Sequence, residues 1–133
     1  MTPDSSAIVA AFSPWHPLHE AARAALRGVS DLVAHAEVEA YSVLTRLPAP
    51  FRAEPALVAE YLGRRYPGSR LVLPAPLRRS LVGRLAAADV AGGRTYDALI
   101  GLTAREADRD LVTCDKRAVS VYERMGVGLR FLA

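Results

Sequence analysis

Asp110-Leu111-Val112-Thr113-Cys114-Asp115 is the stretch on which the fold turns. β-branched residues fill its centre and charge bounds both ends, the pattern of a short strand. Downstream, Lys116 to Met125 reads as a helix, Gly126 breaks it, and Gly128 to Leu132 reads as a closing strand. Upstream, a helix starts at Thr95 or Tyr96 and reaches about Ala107. Before it, Pro76 begins one that runs to about Val90, where Gly92-Gly93 terminates it. Arg70 to Leu73 reads as a strand, and Pro55 opens a helix to about Arg65. Ala36, Ala40, Val43, Leu44 and Leu47 recur at helical spacing until Pro48 and Pro50 intervene. Asp31 to Ala34 is a short strand candidate. At the N-terminus a Ser-capped helix runs from about Ser6 to Phe12, Pro14 stops it, and Pro17 starts another that Gly28 ends. Short strands alternating with helices are the α/β signature, and no linker, repeat or low-complexity segment interrupts them.

Composition narrows what such a skeleton carries. The chain has 133 residues, 51% of them hydrophobic, enough for one domain with its own core. Cys114 is the only cysteine, which excludes an intramolecular disulfide framework and a cysteine-based zinc site and fits a reducing cytoplasm. The apolar run from Ala7 to Phe12 is far too short to span a bilayer, and no basic region with a long apolar stretch opens the chain. Net charge is +3, nearly all of it from arginine, since Lys116 is the only lysine. Guanidinium groups pair bidentately with phosphates, so a nucleic-acid partner is compatible with this charge, although genomic base composition accounts for it equally well.

Four acidic residues carry the chemistry: Asp4, Glu39, Asp97 and Asp115. Asp4 and Asp115 follow the ends of strands, and Asp97 opens a helix. In an open α/β sheet these are the places from which distant side chains reach one crevice. Converging carboxylates suit a hard divalent cation: Mg²⁺ takes near-octahedral oxygen ligands, keeps several waters, and shares its shell with substrate phosphate oxygens. Such an ion makes water a better nucleophile and stabilises charge on the phosphate and leaving oxygen. Four neighbouring carboxylates also repel one another, so without a cation at least one should hold its proton more tightly.

Each residue also has a plainer reading. Asp4 and Asp97 would cap helices, and Asp115 would serve as a turn residue after its strand. Ser6 and Thr113 would donate hydroxyl hydrogen bonds to a ligand carboxylate, or be a cap and an ordinary strand residue. Glu37 and Glu39 are about 160° apart on their helix, on opposite flanks of its apolar face, and periodicity does not choose between them. His16 and His19 share a helix face if a helix forms at Pro17, but zinc needs further ligands that the chain does not supply, so they read as structural, as does His35. Cys114 reads as a small buried thiol. Arg94, Lys116 and Arg117 flank the acids as candidate phosphate contacts or as solvated bases. Phe12 and Leu18 read as core, and Trp15 as an exposed aromatic.

The ordered set resembles the PIN domain, and within it the toxins of the VapBC type, across essentially the whole chain. Asp4-Ser5-Ser6 is similar to the family's opening Asp with hydroxyl residues. Glu39-Ala40-Tyr41-Ser42-Val43-Leu44-Thr45-Arg46-Leu47-Pro48 is similar to the helix bearing its Glu. Tyr96-Asp97-Ala98-Leu99-Ile100 and Leu111-Val112-Thr113-Cys114-Asp115-Lys116-Arg117 resemble the paired C-terminal motifs. The resemblance implies one three-layer domain over residues 1–133, a parallel five-stranded sheet flanked by helices. It also implies Asp4, Glu39, Asp97 and Asp115 as the metal-binding catalytic set, with Glu39 preferred to Glu37. Activity would be endoribonuclease cleavage with Mg²⁺, or Mn²⁺ in its place, by a homodimeric cytoplasmic toxin held by a cognate antitoxin. A housekeeping RNA-maturation nuclease of the same fold is the alternative, and a non-catalytic Mg²⁺-binding signalling module a weaker one, because the only lysine directly follows Asp115. Only Met1-Thr2-Pro3 precede Asp4, and Pro3 has no N–H for a ladder, so the first strand should be very short.

Overall fold

The computed structural model describes all of residues 1–133. Its elements follow in the order β1 (Thr2–Pro3), α1 (Ser5–Phe12), α2 (His19–Ala25), β2 (Leu32–Val33), α3 (Ala34–Arg46), α4 (Pro55–Arg65), β3 (Arg70–Leu71), α5 (Ala75–Ala87), α6 (Arg94–Glu106), β4 (Leu111–Thr113), α7 (Val119–Arg124) and β5 (Leu129–Phe131). None of these helices is long and apolar enough to cross a membrane.

The five expected strands are present and every pairing is parallel, but hydrogen bonding divides them into two sheets. One has the order β1-β4-β5 and the other joins β2 to β3. Pro3 explains the division. Thr2 and Asp4 send their backbone N–H groups to Asp110 and Val112 beside β4, each at 2.9 Å. The next donor along β1, on the side toward β2, belongs to Pro3 and does not exist. A side chain closes the seam instead, with Thr2 Oγ1 donating to the Asp31 carbonyl at 3.0 Å. Asp31 is further tied to Arg109 Nη2 at 3.0 Å and to the Ser69 N–H at 2.7 Å.

The strand β4 is fully buried, and its alternating side chains build the three layers. Val112 faces a small cluster of Ala7, Ala10, Ala11, Ala22, Ala25 and Leu26 from α1 and α2. Alanine lets these helices lie close to the sheet. Leu111 faces the opposite way, into the larger core containing Leu44, Leu62, Ile100, Leu102 and Tyr122. Through this packing β4 delivers Asp115 beside Asp4.

Several local expectations change: α1 is capped by Asp4 rather than by serine, and the helix expected from Pro17 begins at His19 and ends at Ala25, ahead of Gly28. The helix after Pro74 ends at Ala87 rather than near Val90, and the turn is made by Asp89 at φ 56°, ahead of Gly92-Gly93. Aspartate tolerates this left-handed conformation because its short side chain bonds locally. The expected helix from Lys116 begins as a 3₁₀ turn over Lys116–Ala118, because the Asp115 carboxylate caps it through the Arg117 N–H at 2.9 Å.

Candidate active site

Asp4 lies at the C-terminal end of β1 and is the N-cap of α1. Only 2% of it is exposed. Its Oδ1 accepts from the Ala7 N–H at 3.0 Å and from Ser6 Oγ at 2.6 Å, and its Oδ2 accepts from Tyr122 Oη at 2.8 Å. Burial raises its pKa above the ordinary carboxylate value, and these hydrogen bonds oppose the shift. Capping and site placement are therefore the same geometry here.

Ser6 ties the ends of β1 and β4 together. Its Oγ accepts from the Cys114 N–H at 2.8 Å and lies 3.3 Å from Thr113 Oγ1, which in turn accepts from the Asp115 N–H at 3.0 Å. The two hydroxyls expected to serve the carboxylates thus form a relay from Asp4 to the backbone of Asp115. The neighbouring Cys114 thiol is pushed up to about 11 by burial and by the Asp4 charge, so it stays protonated.

Asp97 occupies the first turn of α6 without capping it; its Oδ2 receives Arg94 Nη1 at 3.0 Å. The same guanidinium nitrogen stands 3.8 Å from Asp115 Oδ2, so Arg94 bridges two site carboxylates. Burial raises the Asp97 pKa most, Arg94 lowers it, and the charges of Glu39 and Asp115 raise it further. Mutual repulsion, expected to make a carboxylate hold its proton, therefore acts here but ranks behind desolvation. Lys116 and Arg117 are exposed, with Arg117 Nε 3.8 Å from Asp115 Oδ1.

Glu39 turns toward this group from α3. Ser5 Oγ donates to its Oε1, and His35 Nε2 lies 3.7 Å from its Oε2. Glu37 points elsewhere, gripping Arg70 beside β3 with Oε2 2.7 Å from Nη2 and 2.8 Å from Nε. Glu37 is thus a half-buried ion-pair partner set apart from the other acids. His16 Nδ1 accepts from the Leu18 N–H at 3.0 Å, and His19 Nδ1 sits 2.9 Å from the Ala10 carbonyl, both structural uses. Phe12 packs edge-on to Tyr61, Leu18 lies on the alanine cluster, and Trp15 is exposed against Phe51.

Tyr122 is the residue that no local pattern announces. It sits in α7, buried, with its hydroxyl held to Asp4 and its pKa driven upward by burial and by the charges of Asp4, Asp97 and Glu39. One phenol therefore feels three of the four acids. Gly101 of α6 makes room for it, since a Cβ there would meet the Tyr122 ring at 2.9 Å. Ser5 is equally invisible as a partner of Glu39, because that contact arises only when α1 packs on α3, whereas His35 stands one helical turn before Glu39 at a spacing the sequence already offers. Tyr122→Phe should leave Asp4 with one donor fewer and its carboxylate less fixed. The expected result is about 10- to 100-fold weaker Mn²⁺ affinity, read by calorimetry, with the fold retained.

The four carboxylates are neighbours without closing on one point: no three His, Cys, Asp or Glu side chains are gathered tightly enough to enclose an ion alone. This donor set fits Mg²⁺, which needs only one or two carboxylates alongside water and phosphate oxygens. It does not fit zinc, which asks for a close set of nitrogen or sulfur ligands.

Residues 1–124 match the PIN domain family. Ribonuclease VapC40 of Mycobacterium tuberculosis, in strains CDC 1551 / Oshkosh and H37Rv, is 50% identical over 127 residues, covering 96% of this chain and 95% of the relative. Ribonuclease VapC27 of strain H37Rv is 42% identical over 96 residues, 72% of this chain and 69% of the relative. With its parallel strands and its acids gathered at their C-terminal ends, the chain belongs to the PIN-domain family and, within it, to the VapC ribonucleases.

Proposed function

We propose that this protein is a divalent-metal-dependent endoribonuclease, the toxin of a type II toxin-antitoxin pair, acting as one domain over residues 1–133 in the cytoplasm. The observation that carries the reading is that Asp4, Glu39, Asp97 and Asp115, from four separated segments, are linked to one another: Ser6 and Thr113 run from Asp4 to the backbone of Asp115, Arg94 bridges Asp115 and Asp97, and Asp97 feels the charge of Glu39. Those four residues would hold Mg²⁺, or Mn²⁺ in its place. When bound, the ion supplies a more acidic water and charge stabilisation at the phosphate.

The chain's own groups do the rest. Ser6, the Ala7 N–H and Tyr122 hold Asp4 in one orientation, so that its carboxylate needs no reorganisation as charge develops. Ser5 holds Glu39 likewise. Arg94 offsets part of the repulsion between Asp97 and Asp115 and would meet a phosphate oxygen approaching them, while exposed Lys116 and Arg117 would attract the flanking backbone. A homodimer and a small antitoxin that sets a cation among these carboxylates complete the proposal.

The test is incubation of purified protein with single-stranded and structured RNAs, in Mg²⁺ or Mn²⁺ and in chelator. Internal cleavage that chelator abolishes is expected. Cleavage indifferent to chelator overturns the metal mechanism, and absence of cleavage with either ion overturns the ribonuclease reading.

A further inference from the structure

Beside the acidic group lies an aromatic pair, one ring of which is largely open to solvent. Tyr96, one residue before Asp97 in α6, stacks on His35 at the start of α3, with ring centroids 5.3 Å apart and planes 6° from parallel. His35 in turn reaches to 3.7 Å from Glu39. One face of the tyrosine is thus covered by an imidazole anchored beside a site acid, yet 52% of the residue is exposed. It belongs to neither buried cluster, so core packing does not account for it. A ring braced in this way is a rigid platform that orders a ligand at little further entropic cost.

Electrostatics shows why such a platform matters. An RNA phosphate must approach four carboxylates, and the nearest cation, Arg94, is already engaged by Asp97 and Asp115. Grip on the strand has to come from exposed bases farther out and from contacts indifferent to charge. Stacking of a nucleobase on an aromatic face is such a contact, and it selects bases that are neither paired nor stacked in a duplex. Trp15 and Phe51 form another exposed pair, centroids 4.7 Å apart, but neither ring stacks on a residue paired with a site acid.

We propose that Tyr96, braced by His35, is a stacking subsite for one unpaired nucleobase next to the scissile phosphate. This rests on the ribonuclease reading above. The test uses a fluorescein-labelled 12-nucleotide single-stranded RNA of mixed sequence and its abasic counterpart, with anisotropy read in Ca²⁺ buffer. Wild type should bind the base-bearing strand about tenfold more tightly than the abasic one. Tyr96→Ala should erase that preference, while Tyr96→Phe and Tyr96→Trp should keep it. The proposal is overturned if Tyr96→Ala retains the preference, if Tyr96→Phe loses it, or if Trp15→Ala is the variant that removes it. Cleavage of the same RNA in Mg²⁺ separates the two readings: intact wild-type cleavage with an unchanged preference in Tyr96→Ala removes the subsite alone, whereas no wild-type cleavage removes the ribonuclease.

Discussion

Asp97→Ala should lower RNA cleavage about 10³-fold, because losing a group proposed to hold the ion would withdraw roughly 4 kcal/mol of transition-state stabilisation. Glu39→Ala and Asp115→Ala should fall comparably. The informative comparison is Glu37→Ala, two residues from Glu39 on the same helix. Its carboxylate is committed to Arg70, away from the crevice, so cleavage should stay within about threefold of wild type while stability drops by about 1–3 kcal/mol through the lost charged hydrogen bonds. Rates and denaturation midpoints measured on the same preparations separate the two effects. Folded Glu37→Ala protein with activity as low as Asp97→Ala, or an active Glu39→Ala, reverses the assignment. In cells, induced wild type should arrest growth and Asp97→Ala at equal soluble level should not; equal toxicity would favour nonspecific expression stress, and harmless wild type a housekeeping nuclease.

Asp4 should behave differently from the other three, since two substitutions there part stability from activity. Asp4→Ala removes the α1 cap, worth about 1 kcal/mol. It also strands the buried Tyr122 hydroxyl, at about 1–3 kcal/mol. A loss of roughly 10 °C in Tm follows, together with loss of cleavage. Asp4→Asn keeps an acceptor for Ser6 and Ala7, and Tyr122 can rotate its hydroxyl to accept from the amide. This variant should be inactive in Mg²⁺, and in chelator at neutral pH it should be more stable than wild type.

The sign follows from the direction of the Asp4 shift. Its folded-state pKa lies above the unfolded value, so the stability tied to the protonated form is fully present below the unfolded pKa and is lost as pH rises through the folded one. Asparagine cannot ionise and escapes that loss. The Tm advantage of Asp4→Asn should therefore shrink as pH falls through the folded pKa of Asp4, and added Mn²⁺ should raise the Tm of wild type alone. A constant gap across the pH series would show that the buried charge is not its source.

Much of this architecture is local and therefore readable along the chain. Pro55 starts α4 at the expected residue because proline at the first helical position sacrifices no hydrogen bond. β-branched Val112 and Thr113 between charges make β4, and Asp4 with Ser5 and Ser6 marks the start of α1. Asp4, Asp97 and Asp115 stand beside such boundaries and were legible as candidates, whereas Glu39, inside α3, was singled out only by the family resemblance.

What the chain could not declare depends on elements far apart in sequence. That Pro3 cannot donate was evident, but which neighbour would miss its N–H depended on β1 pairing with β4. Periodicity left Glu37 and Glu39 on opposite flanks of one helix. The packing of α3 separated them, giving Glu37 to Arg70 and Glu39 to Ser5, while His35 meets Glu39 within the helix, one turn away. Tyr122 became Asp4's third donor only because Gly101 leaves space for its ring. Helix starts, strands and the type of chemistry are set by short-range sterics and hydrogen bonding, which the sequence by itself determines. Which acids face one another, and how far burial raises their pKa values, is set by desolvation and charge at distances that exist only once the layers have packed, and that the tertiary structure alone decided.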